Sequence, residues 1–493
     1  MTDPAPALWP DAPSPFNMAR HVLAPDGADS GAVALVSGGE VWRRHDLTRA
    51  ALGVARGFLN AGAVPGDRVL LRLGNSVDFP LAFLGAQAAG LVPVATSAAL
   101  TRSEITPMAG LVTPRFVVQD PEIAAPDLTE LPVIPVETLR EWRDLPTAGW
   151  HMGDPNRPGY VVFTSGSEAL PRAVLHAHRA VWARGMGIRD WIGLTPADRV
   201  LHAGAMNWTY TFGVGLCDPW SLGATAIVPP PGTSPDALPD LLAHHEVTIF
   251  AAVPGVFRRM LKGDLPPLPH LRHALSAGEK LPEAIREEWR ARTGTEIFEA
   301  YGQSECSTFL SSGPGHSAPE GCLGRPQTGR RVAILGPDGA PVPPGTHGAI
   351  AVHRNDPGLM LRYLCREDDM IRGNWRLTGD TGAMDDDGWV TYHGRSDDVI
   401  TAGGYRLSPL EIEAVALGIE GVEAAAAYGR EVRPGVTVVA LAYAGQPGLE
   451  AAIGDLCQLR LAGYKCPRQI DWHADLPVNA NGKIRRAALR KEM

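Results

Sequence analysis

The sequence carries no excess of positive charge: 45 Lys and Arg stand against 54 Asp and Glu, a net charge of −9. That balance gives no broad attraction to DNA, RNA or anionic lipid, so neither nucleic acid nor a membrane is an expected partner. Long apolar runs are missing too, since none approaches the ~20 residues a membrane helix needs. The opening segment MTDPAPALWPDAPSPF is acidic and proline-rich and lacks the basic-then-apolar order of a signal peptide, from which a cytoplasmic location is expected. Cysteine is scarce, with six in 493 residues and the closest pair at Cys457 and Cys466. Neither the density of a disulfide scaffold nor the spacing of a zinc site is present, so all six are expected to be ordinary thiols. There is no internal repeat and no Walker pattern, because NGKI (481–484) lacks the upstream glycine and the following Ser or Thr.

What is present is the composition of a folded globular chain, 45% hydrophobic and 20% charged, at a length that implies two to four domains. From Val41 to about Leu131 the pattern alternates. HDLTRAALGVARGFLNAG (45–62) reads as helix, DRVLLRLG (67–74) as strand and FPLAFLGAQAAG (79–90) as helix, which is α/β layering. GYVVFT (159–164) is a short apolar strand, and RAVWARGMGIRDWIG (179–193) has helical spacing. Between residues 200 and 310 strands such as ATAIVP and TIFAAV alternate with helices such as PEAIREEWRART, a second α/β lobe. From Gly324 to Gly394, Asp-Gly and Pro-Gly turns between strands predict a small β-barrel-like subdomain. At SPLEIEAVALG a helix starts, with Ser408 as cap, Pro409 in the first turn and Glu411 completing a capping box. The expected organisation is a large N-terminal domain over residues 1–396 and a small mobile α+β domain over 397–493.

Four clusters carry chemistry. Thr164, Ser165, Gly166 and Ser167, with Arg172 close by, offer hydroxyls and backbone N–H groups at a strand end, the ingredients of an anion nest; the same residues also make a plain turn. FEAYGQSE (298–305) gathers an aromatic, a glycine, an amide, hydroxyl groups and a carboxylate. Tyr301 is suited to stacking on a base, Glu305 to holding magnesium with phosphates, and Gly302 to keeping space open. A solvated loop with one core tyrosine is the alternative. LTGD (377–380) and GRSDD (394–398) place a carboxylate suited to a ribose diol, Asp380, near Arg395. Lys483, on a glycine-flanked turn, reads by itself as a surface charge.

In this order the pieces resemble the adenylate-forming superfamily of acyl-CoA synthetases, aryl-CoA ligases, firefly-type luciferases and peptide-synthetase adenylation domains. The resemblance spans roughly residues 35–490 and rests on the 164–172 loop, SAGEKLP (276–282), YGQSE (301–305), GRP (324–326), TGD (378–380), GRSDDVI (394–400), GGYRLSPLEIE (403–413) and NGKIRR (481–486). It implies an ATP-, Mg2+- and CoA-dependent two-step reaction. A carboxylate attacks the α-phosphate of ATP to give an acyl adenylate and pyrophosphate, and a thiol then displaces AMP.

By the same resemblance Thr164, Ser165, Gly166, Ser167 and Arg172 would cradle phosphates, and Gly278, Glu279, Tyr301, Gly302 and Ser304 would frame the nucleotide. Glu305 would bind magnesium, and Asp380 and Arg395 would hold the ribose. Lys483 would supply positive charge during adenylation, with Arg406 as a further catalytic residue. Asp397 would be the hinge, and Gly403 and Gly404 would let a pantetheine arm pass close to backbone.

One departure stands out: Glu168 and Ala169 occupy positions where family members carry Thr and Gly. A carboxylate 4 Å from a phosphate at an effective dielectric near 20 is repelled by ~4 kcal/mol. Glu168 therefore either turns away from the phosphates or weakens ATP binding.

The acyl pocket falls to the segment HAGAMNWTYTFGVGLCDPW (202–220), with Trp208, Tyr210 and Phe212 as candidates for its apolar wall and core packing as the competing reading. Gly302 stands where acetyl-CoA synthetases place a tryptophan, which implies an acid larger than acetate: short or medium-chain, branched or aryl. No Lys or Arg stands out as a partner for a second carboxylate. CoA is expected as acceptor because no carrier or condensation domain follows before Met493; YKCPR (464–468) points the same way. The rivals are a carrier-protein-loading enzyme and a non-catalytic nucleotide binder. Homo-oligomerisation is left open.

Overall fold

The computed structural model describes residues 9–128, 130–164, 171–395, 398, 400–402, 405–433, 436–461, 463, 465–478 and 484–490. The chain divides into two compact units, residues 1–331 with 354–369, and residues 332–353 with 370–493.

The first unit holds two sheets. A seven-stranded sheet runs in the order Arg362–Tyr363, Arg172–Ala177, Pro158–Thr164, Val92–Ala95, Arg68–Arg72, Phe116–Gln119, Val133–Pro135. Its middle is parallel, and Pro158–Thr164 pairs antiparallel with Arg172–Ala177. Period-2 geometry sends alternate residues to opposite faces. Val69 and Leu71 join a cluster with Phe58, Phe79 and Phe83, while Leu70 joins another with Ile105, Met108 and Val161. Burial on both faces explains the unbroken apolar runs of these strands.

The second sheet of this unit runs from Glu40–Arg43 through Val33–Ser37, Thr225–Val228, Arg199–His202, Ile249–Ala252, His273–Ala277 and Ile297–Gln303 to Ser307–Ser311 and Cys322–Pro326. It is parallel from Val33–Ser37 to Ile297–Gln303, and the turn after Gln303 reverses it.

In the second unit, Val332–Leu335, Gly348–His353, Trp375–Met384 and Val390–Arg395 form an antiparallel sheet. Val422–Arg433, Val436–Gly445 and Gln469–His473 form a three-stranded sheet with the helices Pro409–Leu417 and Glu450–Arg460. The short hairpin Ile400–Ala402 with Tyr405–Leu407 carries Arg406 opposite Thr401.

The helices at Arg44–Asn60 and Asp78–Ala88 and the strand Arg68–Arg72 lie where periodicity puts them. The segment 179–193 keeps its helical spacing as short helical pieces at Ala180–Ala183 and Gly185–Gly187 continued by a wider helical turn at Ile188–Ile192, with Arg184 in a buried ion pair with Asp218. One expectation needs correction. The helix Pro409–Leu417 has no capping box: the Ser408 side chain makes no cap hydrogen bond, and Glu411 instead accepts from Lys465 Nζ at 2.5 Å. All six cysteines are free thiols.

Candidate active site

In the first unit the candidate residues gather at the carboxyl ends of parallel strands. Thr164 ends its strand directly opposite Arg172. The Arg172 guanidinium lies over the Tyr363 ring, 5.7 Å from its centre, and the Tyr363 hydroxyl donates to Glu305 Oε1 at 2.6 Å. Glu305 is 9% exposed and Tyr363 2%. A buried carboxylate held at a set position is thus linked through one tyrosine to the cation beside the proposed phosphate loop. Sequence reading missed Tyr363, which lies alone in a run without motif character.

Glu305 sits in the turn joining Ile297–Gln303 to Ser307–Ser311, and buried groups pin that turn on both sides. His176 Nε2 meets the Ser304 carbonyl at 2.7 Å and therefore carries the proton as donor. Its ring stacks on Tyr160 at 4.8 Å, and burial lowers its pKa to about 4, so it stays neutral. On the other side Arg184 Nη1 donates to Ser307 Oγ at 2.7 Å. Ser307 holds φ +60°, a left-handed conformation that a non-glycine residue rarely adopts, and the Arg184 contact helps to hold it there. The Met360 N–H donates to the Glu305 carbonyl at 2.7 Å.

Gly302 has a packing reason of its own. A Cβ there would lie 2.2 Å from the Ser307 carbonyl oxygen and 2.5 Å from Thr308 Cα, so the hairpin itself demands glycine. Tyr301 packs edge-on against Phe309 at 5.1 Å. Gly278 takes φ +96°, and a Cβ on it would touch the Trp208 indole at 3.0 Å, which brings Trp208 beside the SAGEK loop. Glu279 is exposed next to it.

The three aromatic candidates separate. Tyr210 is a core residue: its hydroxyl donates toward the Leu275 carbonyl at 3.1 Å, and its ring packs on Trp191 and His202. Trp208 is half-buried against Gly278. Phe212 packs on Phe83 at 4.3 Å and lines a cavity of about 30 Å³ together with Tyr160, Met206, Arg184 and Ser307. The 202–220 segment supplies part of its wall through Met206, Asn207, Thr209, Phe212, Gly213 and Cys217. Arg184 is bound to Asp218 through Nε at 2.6 Å and Nη2 at 2.5 Å. Burial would lower its pKa, but the Asp218 charge, the hydrogen bonding to it and smaller contributions from Cys217 and Tyr160 together outweigh this and raise it. Lone charges inside the apolar runs VWARGMG and GLCDPW were the available signal for this pair.

In the second unit Asp380 faces Arg395 across neighbouring strands, and Tyr392 donates to Asp380 Oδ1 at 3.2 Å. Asp380 is buried and Arg395 exposed. Arg486 binds Glu413 at 2.7 and 2.9 Å and Asp398 at 3.2 Å, which anchors the chain just after NGK. Ser165, Gly166, Ser167, Glu168, Asp397, Gly403, Gly404, Lys483 and the Arg406 side chain lie outside the described residues.

Among the described residues no three His, Cys, Asp or Glu side chains group as a metal cage, and no helix is long and apolar enough to cross a membrane. A single buried carboxylate suits magnesium, which is usually held by one or two carboxylates plus substrate phosphates.

A family model described as AMP-binding enzyme matches residues 26–364, and its C-terminal domain matches residues 411–483. The chain is 30% identical over 461 residues to a benzoate–CoA ligase of Thauera aromatica, covering 87% of this chain and 86% of that protein. It is 29% identical over 465 residues to the mitochondrial acyl-coenzyme A synthetase ACSM3 of Pongo abelii, covering 87% and 79%. A solved benzoate CoA ligase from Burkholderia xenovorans LB400 superposes with a TM-score of 0.85 at 27% identity, over 97% of this chain and 100% of that one.

Proposed function

The chain belongs to the AMP-binding enzyme family, in its acyl-CoA and aryl-CoA ligase branch, and is an AMP-forming acid–thiol ligase; from that premise we propose which acid it takes and which residues carry the reaction. The acid is a monocarboxylate larger than acetate, short- or medium-chain, branched or aryl, in keeping with the ligases it resembles.

The observation that carries this reading is the pinned 301–307 turn. It holds one buried carboxylate, Glu305, through Tyr363, with His176 and Arg184 bracing its flanks. Preorganised charge of this kind costs no rearrangement when the reaction begins. Magnesium at Glu305 would neutralise phosphate charge during adenylation. Thr164, Ser165, Gly166, Ser167 and Arg172 bind the outer phosphates, Gly278, Glu279, Tyr301, Gly302 and Ser304 frame the nucleotide, and Asp380 and Arg395 hold the ribose.

The acid's carboxylate oxygen attacks the α-phosphorus, the bond to pyrophosphate breaks, and Lys483 offsets the negative charge that gathers there. The CoA thiolate then attacks the acyl carbon and AMP leaves. Gly403 and Gly404 pass the pantetheine arm, Asp397 is the pivot between the domain over 1–396 and that over 397–493, and the enzyme acts in the cytoplasm.

The test is AMP release from Mg-ATP with acetate, octanoate, branched acids and benzoate, with and without CoA. CoA-dependent AMP release that peaks above acetate is expected. Acetate as the best substrate, or transfer only to an added carrier protein, would contradict the proposal.

A further inference from the structure

The chain leaves the first unit after Arg331, forms the strands Val332–Leu335 and Gly348–His353, and re-enters the first unit at Arg354. On re-entry it runs as a short strap, residues 356–363, that brings two groups to Glu305. The Met360 N–H donates to the Glu305 carbonyl at 2.7 Å, and the Tyr363 hydroxyl donates to Glu305 Oε1 at 2.6 Å. At its far end Arg362 and Tyr363 pair with Leu175 and Val174. What fixes its near end lies outside every motif.

Asp356 and Arg330 form an ion pair there, with side chains 0% and 1% exposed. Asp356 Oδ1 also accepts the Gly358 N–H at 2.8 Å, and Arg330 Nη2 donates to the Thr308 carbonyl at 3.0 Å. Gly358 takes part by what it lacks, since a Cβ on it would collide with Arg330 Nη1. Arg179 Nη1 holds the next carbonyls, those of Pro357 and of Leu359, the latter at 3.2 Å. Thr308 lies in the strand Ser307–Ser311, which begins where the Glu305 turn ends. The pair therefore ties the strap to the strand that follows that turn, just before the chain leaves the unit and just after it returns.

A buried ion pair is weak evidence for stability, because neutral groups of similar volume often replace one at little cost. What this one supplies is register. Asp356 Oδ1 serves both the guanidinium and the strap's own turn, so the strap cannot slide along Ser307–Ser311 without breaking both contacts.

We propose that Arg330 and Asp356 are positioning residues for adenylation: their ion pair sets the strap in the register in which Met360 and Tyr363 hold Glu305. This rests on the ligase reading and adds to it two residues that act on Glu305 through the strap.

The experiment uses the double variant Arg330→Met, Asp356→Asn, which leaves no buried charge in the pair and keeps an oxygen for the Gly358 N–H. ATP–pyrophosphate exchange with the best acid of the panel is followed against Mg2+ concentration, thioester formation is followed from the supplied adenylate of that acid, and calorimetry compares ATP binding with and without Mg2+. Tm should stay close to that of wild type. Exchange should fall about tenfold, within the ~10²-fold that a misplacement of ~1 Å can cost. Mg2+ at half-saturation should rise several-fold, the binding preference for Mg-ATP over metal-free ATP should shrink, and thioester formation should change by less than threefold. Added to Tyr363→Phe, the double substitution should lower exchange by less than a further twofold, because the route it acts through is already cut. Gly358→Ala, which displaces the guanidinium, should give the same signature and decides the matter if the double variant does not fold.

Exchange within twofold of wild type with unaltered Mg2+ dependence would overturn the proposal. So would losses that multiply in full with Tyr363→Phe, or an equal loss in both half-reactions, which marks a general structural role. If wild type shows no exchange with any acid, the ligase reading fails and the calorimetric preference for Mg-ATP decides alone: lost in the variant, the positioning role stands; absent from wild type or kept in the variant, it falls.

Discussion

Replacing Tyr363 by Phe removes one atom from the link between Glu305 and the rest of the site. The hydroxyl donates to Glu305 Oε1 at 2.6 Å, and both residues are buried. The ring remains, so its packing and the Arg172 guanidinium over its face, at 5.7 Å, are kept. Hydrogen bonds to charged groups contribute about 1.5–3 kcal/mol, and each ~1.4 kcal/mol is a factor of ten in rate. If Glu305 must be held in place for adenylation, Tyr363→Phe should slow acid-dependent ATP–pyrophosphate exchange by about 10- to 100-fold and raise the Mg2+ concentration at half-saturation. Thioester formation from a supplied acyl adenylate, which needs no metal at the outer phosphates, should change by less than threefold. Exchange within twofold of wild type, with unaltered Mg2+ dependence, would refute the assignment of Glu305.

Four further outcomes are expected. Gly302→Ala forces a Cβ to 2.2 Å from backbone, so it should lower exchange at least tenfold for every acid and lower Tm; a mere shift in acid preference would show instead that the glycine serves the pocket. Glu299 is buried, accepts from the Leu281 N–H at 2.8 Å and has its carboxyl pushed up to about 7, chiefly by burial. Its native form therefore holds a proton that the unfolded chain releases, and its contribution to stability, about 3 kcal/mol at most, is present below pH ~4.5 and lost as pH rises through ~7. In denaturant titrations between pH 4.5 and 8 the stability of wild type relative to Glu299→Gln should fall as pH rises, by about 3 kcal/mol at most, and a difference independent of pH would refute the raised carboxyl. Lys483→Ala should lose ~10²–10³ in adenylation while accepting a supplied adenylate; equal loss of both steps would remove Lys483 from its role. Glu168→Thr should tighten ATP binding if the carboxylate faces the phosphates, and leave it unchanged, by calorimetry, if it points away.

Much of the fold is written in local pattern. Strands buried on both faces leave runs such as VLLRL and TIFAAV, and the helices between them carry their period openly, so the layered α/β arrangement follows from sequence. The buried ion pair between Arg184 and Asp218 was not legible, because it joins residues 34 positions apart. The missing capping box at Ser408 has the same origin: Glu411 finds Lys465, a partner that local rules cannot see.

In the candidate site, residues within motifs could be singled out from sequence, and residues that contact those motifs from elsewhere could not. Glu305 could be singled out from YGQSE, whereas Tyr363, His176 and Arg184, which hold its turn, come from distant strands and turns and have no signature of their own. Tyr210 shows the opposite limit: an aromatic in the expected pocket segment whose hydroxyl is used up by backbone carbonyls in the core.

The measurement that reaches the centre of this account is a single-turnover trap. The protein, in excess over a radiolabelled acid such as benzoate or a hydroxybenzoate, is mixed with Mg-ATP without CoA, quenched and resolved, and a parallel sample is chased with CoA. The account predicts an enzyme-bound acyl adenylate with one pyrophosphate released per acid, converted by the chase to acyl-CoA and AMP with no further pyrophosphate. Formation of ADP, or acyl-CoA appearing with no adenylate before the chase, would contradict it.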